Sequence, residues 1–233
     1  MKLCVFDLDH TLVSSPLDLA AMALEIRALL ERACGPLPAR EDRYRVGELI
    51  DRCRAASADL EATAWAIALD HERRAVDAAW LEPGALEAVM GARAAGCGVA
   101  LWTNNAREVT ALALGRFGLL PHFDLVVTRD EMGALKPAPD GWSVIARHFD
   151  VRETDAVVVG DSWVDGLAAD KAGVPFVAYR AKPADLERWG VRPVAHLTDL
   201  AALPAWLAGQ QGRAAGRRGA GAPPAEAPDE ESG

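Results

Sequence analysis

The sequence of 233 residues lacks features that mark several classes of protein. Its four cysteines are scattered, with no C-x-x-C spacing and no histidine pair at zinc-finger spacing, which argues against a zinc site or a disulfide framework. No apolar run approaches the roughly 20 residues that a membrane-spanning helix needs. Aspartates interrupt the first apolar segment within a few residues, so no secretory signal can be drawn. We therefore expect a cytoplasmic protein without a membrane partner.

Basic residues are fewer than acidic ones, 25 Lys and Arg against 34 Asp and Glu. The formal net charge is −9, and only four lysines occur in the chain, namely Lys2, Lys136, Lys171 and Lys182. Binding along a nucleic-acid backbone requires a basic surface, so this balance disfavours nucleic acid as the main partner. Small anionic ligands remain compatible with the composition where positive groups converge locally.

The distribution of apolar residues predicts an α/β fold. Leu3–Phe6 is a continuous apolar run, as expected for a strand covered on both faces. Four later runs, within GVALWTNN, DLVVTRD, DAVVVGDS and VPFVAY, are also strand candidates, and helical patterns lie between them. Such alternation is typical of a doubly wound, Rossmann-type parallel sheet with right-handed crossovers.

Three segments differ in pattern. Residues 14–82 show helical periodicity, with the last helix extending to Trp80, and predict an all-helical domain inserted after the first strand. Residues 1–13 and 83–207 form the predicted α/β catalytic core. Residues 208–233 contain no Val, Ile, Leu, Met or aromatic residue and cannot bury enough surface to offset the entropy of ordering. We expect this last segment to be a disordered tail.

Polar residues follow the predicted strands, at the edge where open parallel sheets bind ligands. These residues are Asp7, Asp9, Thr103, Asn104, Asp161 and Asp165, with Thr11 behind the first pair and Lys136 in a separate loop. Four carboxylates near one point repel one another unless a cation is present. Because the ligands are hard oxygens without His or Cys, the expected cation is Mg²⁺, which also binds a substrate phosphate oxygen.

Such a site is suited to phosphoryl transfer from a small phosphorylated metabolite. A metal-bound carboxylate can attack phosphorus, and a second carboxylate two residues along the extended chain lies on the same side and can protonate the leaving oxygen. The Thr103 hydroxyl, the Asn104 backbone N–H and the Lys136 ammonium are then expected to hold the transferring phosphoryl oxygens.

These residues resemble the motifs of the haloacid dehalogenase-like superfamily, in its phosphoglycolate-phosphatase-like branch. The first motif of that family, D-x-D-x-T, is similar to Asp7–Thr11, and GDSWVD is similar to its fourth motif. Thr103 and Lys136 resemble the second and third motifs, so the resemblance covers about residues 1–207. One departure is His10, where the branch often has glycine.

The resemblance implies a phosphatase that works through an aspartyl-phosphate intermediate. Asp7 is then the nucleophile, and Asp9 is the general acid and later the base. Mg²⁺ is held by the Asp7 carboxylate, the Asp9 main-chain carbonyl and Asp161, with Asp165 in support. The helical insert is similar to the cap of that branch, which closes over the site and selects the substrate.

Other reactions on the same fold are separated in part by single residues. A dehalogenase lacks the second aspartate, so the presence of Asp9 favours phosphoryl chemistry. A phosphonatase uses a cap lysine, and residues 14–82 contain none. A phosphomutase acting on a sugar phosphate remains open, as does a phosphoacceptor module that does not turn over. Phosphoglycolate, sugar phosphates and nucleotides are all compatible substrates.

Overall fold

The computed structural model describes residues 1–210. The strands in chain order are β1 (Leu3–Phe6), β2 (Val13–Ser14), β3 (Trp80–Leu81), β4 (Gly98–Trp102), β5 (Leu125–Val127), β6 (Ala156–Gly160), β7 (Phe176–Tyr179) and β8 (Ala195–Leu197). The helices are α1 (Leu19–Cys34), α2 (Val46–Ala56), α3 (Ala58–Val76), α4 (Ala85–Ala94), α5 (Arg107–Arg116), α6 (Asp140–Phe149), α7 (Trp163–Ala172), α8 (Pro183–Arg188) and α9 (203–210).

Six of the strands form one parallel sheet in the order β5-β4-β1-β6-β7-β8. At the centre, Phe6 lies opposite Leu101 on one side and Val159 on the other. The residues that follow these three strands therefore emerge side by side at the carboxyl edge. The doubly wound parallel fold predicted from the strand and helix alternation is confirmed.

Both faces of the sheet are buried, as the continuous apolar runs predict. One face packs under α4 and α5 and the other under α6, α7 and α8, and successive residues of each strand alternate between them. In β1, for example, Cys4 and Phe6 belong to the first face, whereas Leu3 and Val5 belong to the second. Full burial of each large aliphatic side chain contributes about 1.5–3 kcal/mol, so this core fixes the strand ends that carry the polar residues.

The segment 14–82, here called the helical insert, has a hydrophobic core of its own. Its three helices enclose Met22, Ala23, Ile26, Leu30, Tyr44, Leu49, Ile50, Cys53, Ala64 and Ala68. The expectation that the last helix reaches Trp80 is wrong, because α3 ends at Val76 and Trp80 pairs with Ser14 in the antiparallel β2–β3 ladder. A strand of two residues carries no periodicity, so the sequence pattern could not reveal it.

The last helix of the described residues is α9, whose Leu203 and Leu207 are fully buried against one face of the sheet. This helix runs three residues into the segment expected to form the disordered tail, and the rest of that segment lies outside the described residues. Among residues 1–210, no helix has both the length and the apolar character needed to cross a bilayer.

Candidate active site

The first aspartates lie where the chain leaves β1. Asp7 N donates to the carbonyl of Val159 at 2.9 Å, which extends the strand pairing by one residue, and the side chain of Asp7 is buried. The carbonyl of Leu8 then closes a tight turn. His10 lies in this turn at φ +56°, a left-handed conformation that favours glycine, and its Nδ1 is 3.1 Å from Ser14 Oγ. The turn places both aspartates at the carboxyl edge of the sheet.

Lys136 joins two of the carboxylates. Its buried Nζ donates to Asp7 Oδ1 at 2.5 Å, to Asp165 Oδ1 at 2.5 Å and to the carbonyl of Trp102 at 2.8 Å. Burial opposes the charge on the ammonium group, but the carboxylates of Asp165 and Asp7 raise the pKa of Lys136 above its ordinary value. In this structure the ammonium group thus contacts the end of β1, the end of β4 and the first turn of α7.

The side chain of Asn104 fixes the backbone beside this ammonium group. Asn104 Oδ1 accepts from Lys136 N at 2.8 Å, and Asn104 Nδ2 donates to the Lys136 carbonyl at 3.0 Å. A paired contact of this kind restrains both the position and the orientation of the peptide. The sequence predicts a role only for the Asn104 backbone N–H, so this side-chain contact was not predicted.

The fourth predicted motif lies between β6 and α7. Ser162 caps α7, with its Oγ donating to Asp165 Oδ2 at 2.5 Å and its N donating to the same oxygen at 3.2 Å. A Cβ at Gly160 would lie 2.6 Å from the Asp165 Cβ, so only glycine allows this close approach. Both oxygens of the Asp165 carboxylate are therefore engaged, one by Ser162 and one by Lys136.

Asp7, Asp161 and Asp165 form a cluster that fits a divalent cation. Each offers one carboxylate oxygen, and the three oxygens lie within 4.8 Å of one another. Burial and then the charge of Asp165 raise the pKa of Asp7 to about 7, and the same causes together with Asp7 raise the pKa of Asp161 to about 9. Within residues 1–210, no group donates a hydrogen bond to the Asp161 carboxylate. The cluster thus has more negative charge than Lys136 balances, as expected for a Mg²⁺ site.

The carboxylate of Asp9 lies outside that cluster. Its Oδ2 accepts from Asn105 Nδ2 at 2.7 Å, and burial raises its pKa although this hydrogen bond opposes the shift. Thr103 is fully buried, and its Oγ1 accepts from Asn105 N at 3.2 Å. Among the described residues, the Thr11 hydroxyl is buried without a hydrogen-bond partner. The carboxylate of Asp9 is therefore held apart from the cluster of Asp7, Asp161 and Asp165.

The helical insert contacts the core beside these residues. Arg45, at the start of α2, places its guanidinium carbon 4.7 Å from the ring centroids of both Trp163 and Trp189, which stack on each other at 4.1 Å. Gly47 lies near Leu135, the residue before Lys136. The amino end of α2 therefore reaches the segments that carry the third and fourth predicted motifs.

Sequence reasoning missed Asn105, which contacts Asp9, and two residues that contact the loop of Asn105. Asn105 was visible only as a second asparagine in TNN, with no signal that its side chain contacts Asp9. Glu72, in α3 of the insert, is buried and accepts from Ala106 N at 3.3 Å. Arg129 donates to Glu72 from the core, and these two residues are 57 positions apart. No local pattern could have linked them.

Comparison with known proteins identifies the family of this chain. The family model for haloacid dehalogenase-like hydrolase matches residues 1–173. The phosphoglycolate phosphatase of Rhodobacter capsulatus is 29% identical over 218 residues, covering 88% of this chain and 96% of the relative. That of Caulobacter vibrioides is 34% identical over 184 residues, covering 74% and 76%.

The fold also matches solved structures. A hydrolase from Pseudomonas syringae superposes with a TM-score of 0.67 at 19% identity, covering 90% of this chain and 99% of the other. The family match spans most of the sequence and includes all of the predicted motifs. The chain therefore belongs to the haloacid dehalogenase-like hydrolases, in the branch that includes phosphoglycolate phosphatases.

Proposed function

We propose that the chain is a Mg²⁺-dependent phosphatase that hydrolyses a small phosphomonoester through an aspartyl phosphate on Asp7. The family and the relatives identify a phosphatase. The observation that supports the finer proposal is the buried contact of Lys136 with Asp7 and Asp165, beside the partly buried Asp161. The cytoplasmic location expected from the sequence stays a prediction.

Asp7 and Asp161 would hold the metal with their carboxylates, together with the main-chain carbonyl of Asp9. Asp165 supports them, because both of its oxygens already accept hydrogen bonds, from Lys136 and from Ser162. When bound, Mg²⁺ supplies positive charge that offsets the repulsion between the carboxylates and the phosphate. The carboxylate cluster and the raised pKa values of Asp7 and Asp161 support this assignment.

In the first half of the reaction, a carboxylate oxygen of Asp7 forms a bond to phosphorus while the bond from phosphorus to the ester oxygen breaks. Lys136 donates to Asp7 Oδ1, and within the described chain no hydrogen bond engages Oδ2, which leaves that oxygen available for attack. Asp9 gives its proton to the leaving oxygen, and burial favours the protonated form that this step requires.

In the second half, water attacks phosphorus, Asp9 takes the proton from the water, and the bond to Asp7 breaks to regenerate the carboxylate. The Thr103 hydroxyl, the Asn104 backbone N–H and the Lys136 ammonium hold the phosphoryl oxygens during both steps. A fixed donor of this kind contributes on the order of 10²–10³ in rate. The helical insert acts as a cap that excludes bulk water, consistent with its contacts beside the site.

The substrate class is tested by a screen of phosphorylated metabolites with Mg²⁺, with the Asp7→Asn protein as the blank. Phosphoglycolate is the first candidate, because the curated relatives are phosphoglycolate phosphatases. Repeated release of inorganic phosphate supports the proposal. A single stable phosphorylation per chain would instead identify a phosphoacceptor module, and transfer of the phosphoryl group to a sugar hydroxyl would identify a mutase.

Replacing Asp9 with asparagine is expected to slow hydrolysis most for substrates whose leaving alcohol is a weak acid. Without the proton donor, the rate constant of the phosphorylation step should fall on the order of 10²-fold or more for an alkyl phosphate, and less for p-nitrophenyl phosphate, which has a stable leaving anion. Pre-steady-state release of the alcohol measures that step directly. Equal losses for both substrates would contradict the role of Asp9 as general acid.

Removing Mg²⁺ is expected to make stability fall as the pH rises. In the native state the carboxyl of Asp7 keeps its proton up to about pH 7 and that of Asp161 up to about pH 9. In the unfolded chain both carboxyls lose their protons at about pH 4. Between these values the native state binds more protons, so the free energy of unfolding decreases with pH. Urea unfolding in EDTA and in Mg²⁺, across this pH range, measures the effect.

The matched variant for this experiment is Asp161→Asn. It removes one carboxylate of the cluster, so it should lessen the pH dependence in EDTA and also the stabilisation by Mg²⁺. Equal stabilisation of both proteins by Mg²⁺ would show that the ion binds elsewhere.

A further inference from the structure

We propose that Asn105, Arg129 and Glu72 form a positioning set that orients the Asp9 carboxyl when the helical insert is seated on the core. The inference rests on the proposed function, in which Asp9 protonates the leaving oxygen. None of the three residues belongs to the motifs predicted from the sequence. Each acts through Asp9 and does not itself touch the reacting atoms.

Asn105 contacts Asp9 directly. Asn105 Nδ2 donates to Asp9 Oδ2 at 2.7 Å, and Asn105 is 8% exposed. In the part of the chain that the structure describes, this is the one hydrogen bond to the Asp9 carboxyl group. It fixes one oxygen and so leaves the other to carry the proton toward the substrate.

Asn105 is in turn hydrogen-bonded to the loop after β5. The Asn105 carbonyl accepts from Arg129 N at 3.1 Å. Arg129 opens a short 3₁₀ turn, which Thr128 caps together with Glu131. The backbone that carries Asn105 is therefore restrained by a second, rigid element of the core.

The backbone around Asn105 is also connected to the helical insert. The Arg129 side chain donates to Glu72 Oε1, and its guanidinium carbon lies 4.7 Å from the ring centroid of Trp65. The other carboxylate oxygen of Glu72 accepts from Ala106 N at 3.3 Å. Glu72 in α3 thus restrains the peptide group between Asn105 and Ala106 at both ends, through Arg129 at its carbonyl and directly at its N–H.

Burial indicates that this ion pair serves more than stability. The side chains of Arg129 and Glu72 are only 7% and 6% exposed, and a buried ion pair gives little net stabilisation compared with apolar residues of similar size. Separation of the insert from the core would leave both charges and the Ala106 N–H without these partners. The pair therefore favours one seated position of the insert, the position in which Asn105 is held against Asp9.

The neighbouring ion pair of Arg73 and Glu108 provides a matched control. It also joins α3 to the core, at 2.7 Å, but both of its side chains are about half exposed and neither contacts Asn105. Exposed ion pairs of this kind contribute little to the stability of the folded protein. Arg73→Met should therefore remove a contact between insert and core without affecting Asp9.

The test compares the rate constant of the alcohol-releasing step, from pre-steady-state release, for p-nitrophenyl phosphate and glycerol 2-phosphate, with Mg²⁺, in four variants of the full chain. Asn105→Ala should lose about 10-fold more with the alkyl ester than with the aryl ester, a part of the full contribution of a general acid. Arg129→Met and Glu72→Gln should show the same selective loss to a smaller extent. Arg73→Met should change neither rate by more than about twofold.

Thermal unfolding of each variant monitors folding, and the selectivity between the two esters is a readout that a general loss of folded protein would not change. Equal losses for both esters in Asn105→Ala and Glu72→Gln, or the same selectivity in Arg73→Met, would overturn the inference while leaving the proposed function intact. If Asp9→Asn itself shows no selectivity, the general-acid assignment fails and the inference fails with it.

Discussion

Replacing Asp7 with asparagine is expected to reduce phosphate release by on the order of 10⁴-fold or more, the scale seen when a covalent nucleophile is removed. The amide nitrogen and oxygen are poor nucleophiles toward phosphorus, so the covalent step has no substitute. The measurement is steady-state release of inorganic phosphate with Mg²⁺. Wild-type protein quenched with acid during turnover should carry a phosphoryl group on a fraction of its chains, and the variant should carry none.

The fold of this variant should be intact. Burial and the charge of Asp165 raise the pKa of Asp7 to about 7, so at higher pH the metal-free protein holds this carboxylate at a cost that asparagine avoids. The variant should therefore unfold in EDTA at about pH 8 at a temperature no lower than wild type. Asp170→Asn, an exposed change in α7, is the control and should retain activity. Wild-type phosphate release by the Asp7→Asn protein would disprove the covalent mechanism.

The sheet could be predicted from the sequence because its strands are long enough to show continuous apolar runs. Three of the five predicted runs end at the site, and their strands β1, β4 and β6 are neighbours in the sheet. The two-residue strands β2 and β3 could not be predicted in the same way, nor could β8, whose three residues are only partly buried or exposed. These elements depend on pairing with distant residues and not on a local pattern.

Part of the site could also be predicted, for a reason that lies in the topology. Parallel strands place their carboxyl ends at one edge, so Asp7 and Asp161 had to emerge near each other once β1 and β6 were neighbours. Contacts made by side chains across the insert and the core have no such rule. The contact of Glu72 with Arg129 depends on how α3 packs, and the contact of Asn104 with Lys136 depends on the path of a loop.

Replacing Lys136 with methionine is expected to destabilise the metal-free protein by about 3–5 kcal/mol, the scale for removing one partner of a buried ion pair. The ammonium group lies 2.5 Å from oxygens of both Asp7 and Asp165, and no other cation contacts them among residues 1–210. Methionine fills a similar volume, so the loss reports the charge and not a cavity. Activity should fall by about 10²–10³-fold, because a donor to the phosphoryl oxygens is also lost.

The size of this destabilisation should depend on pH. Lys136 lowers the pKa of Asp7, so its removal strengthens proton binding by the native state, and the deficit should grow as the pH rises through the neutral range. Urea unfolding of Lys136→Met in EDTA, at about pH 6 and about pH 8, measures this difference. Lys171→Met, on the exposed face of α7, should change stability by less than about 0.5 kcal/mol. Lys136→Arg should not restore the wild-type stability, because a planar guanidinium group cannot donate to three acceptors that are arranged around a single ammonium nitrogen. Similar unfolding midpoints for Lys136→Met and Lys171→Met would show that the buried carboxylates do not depend on this lysine.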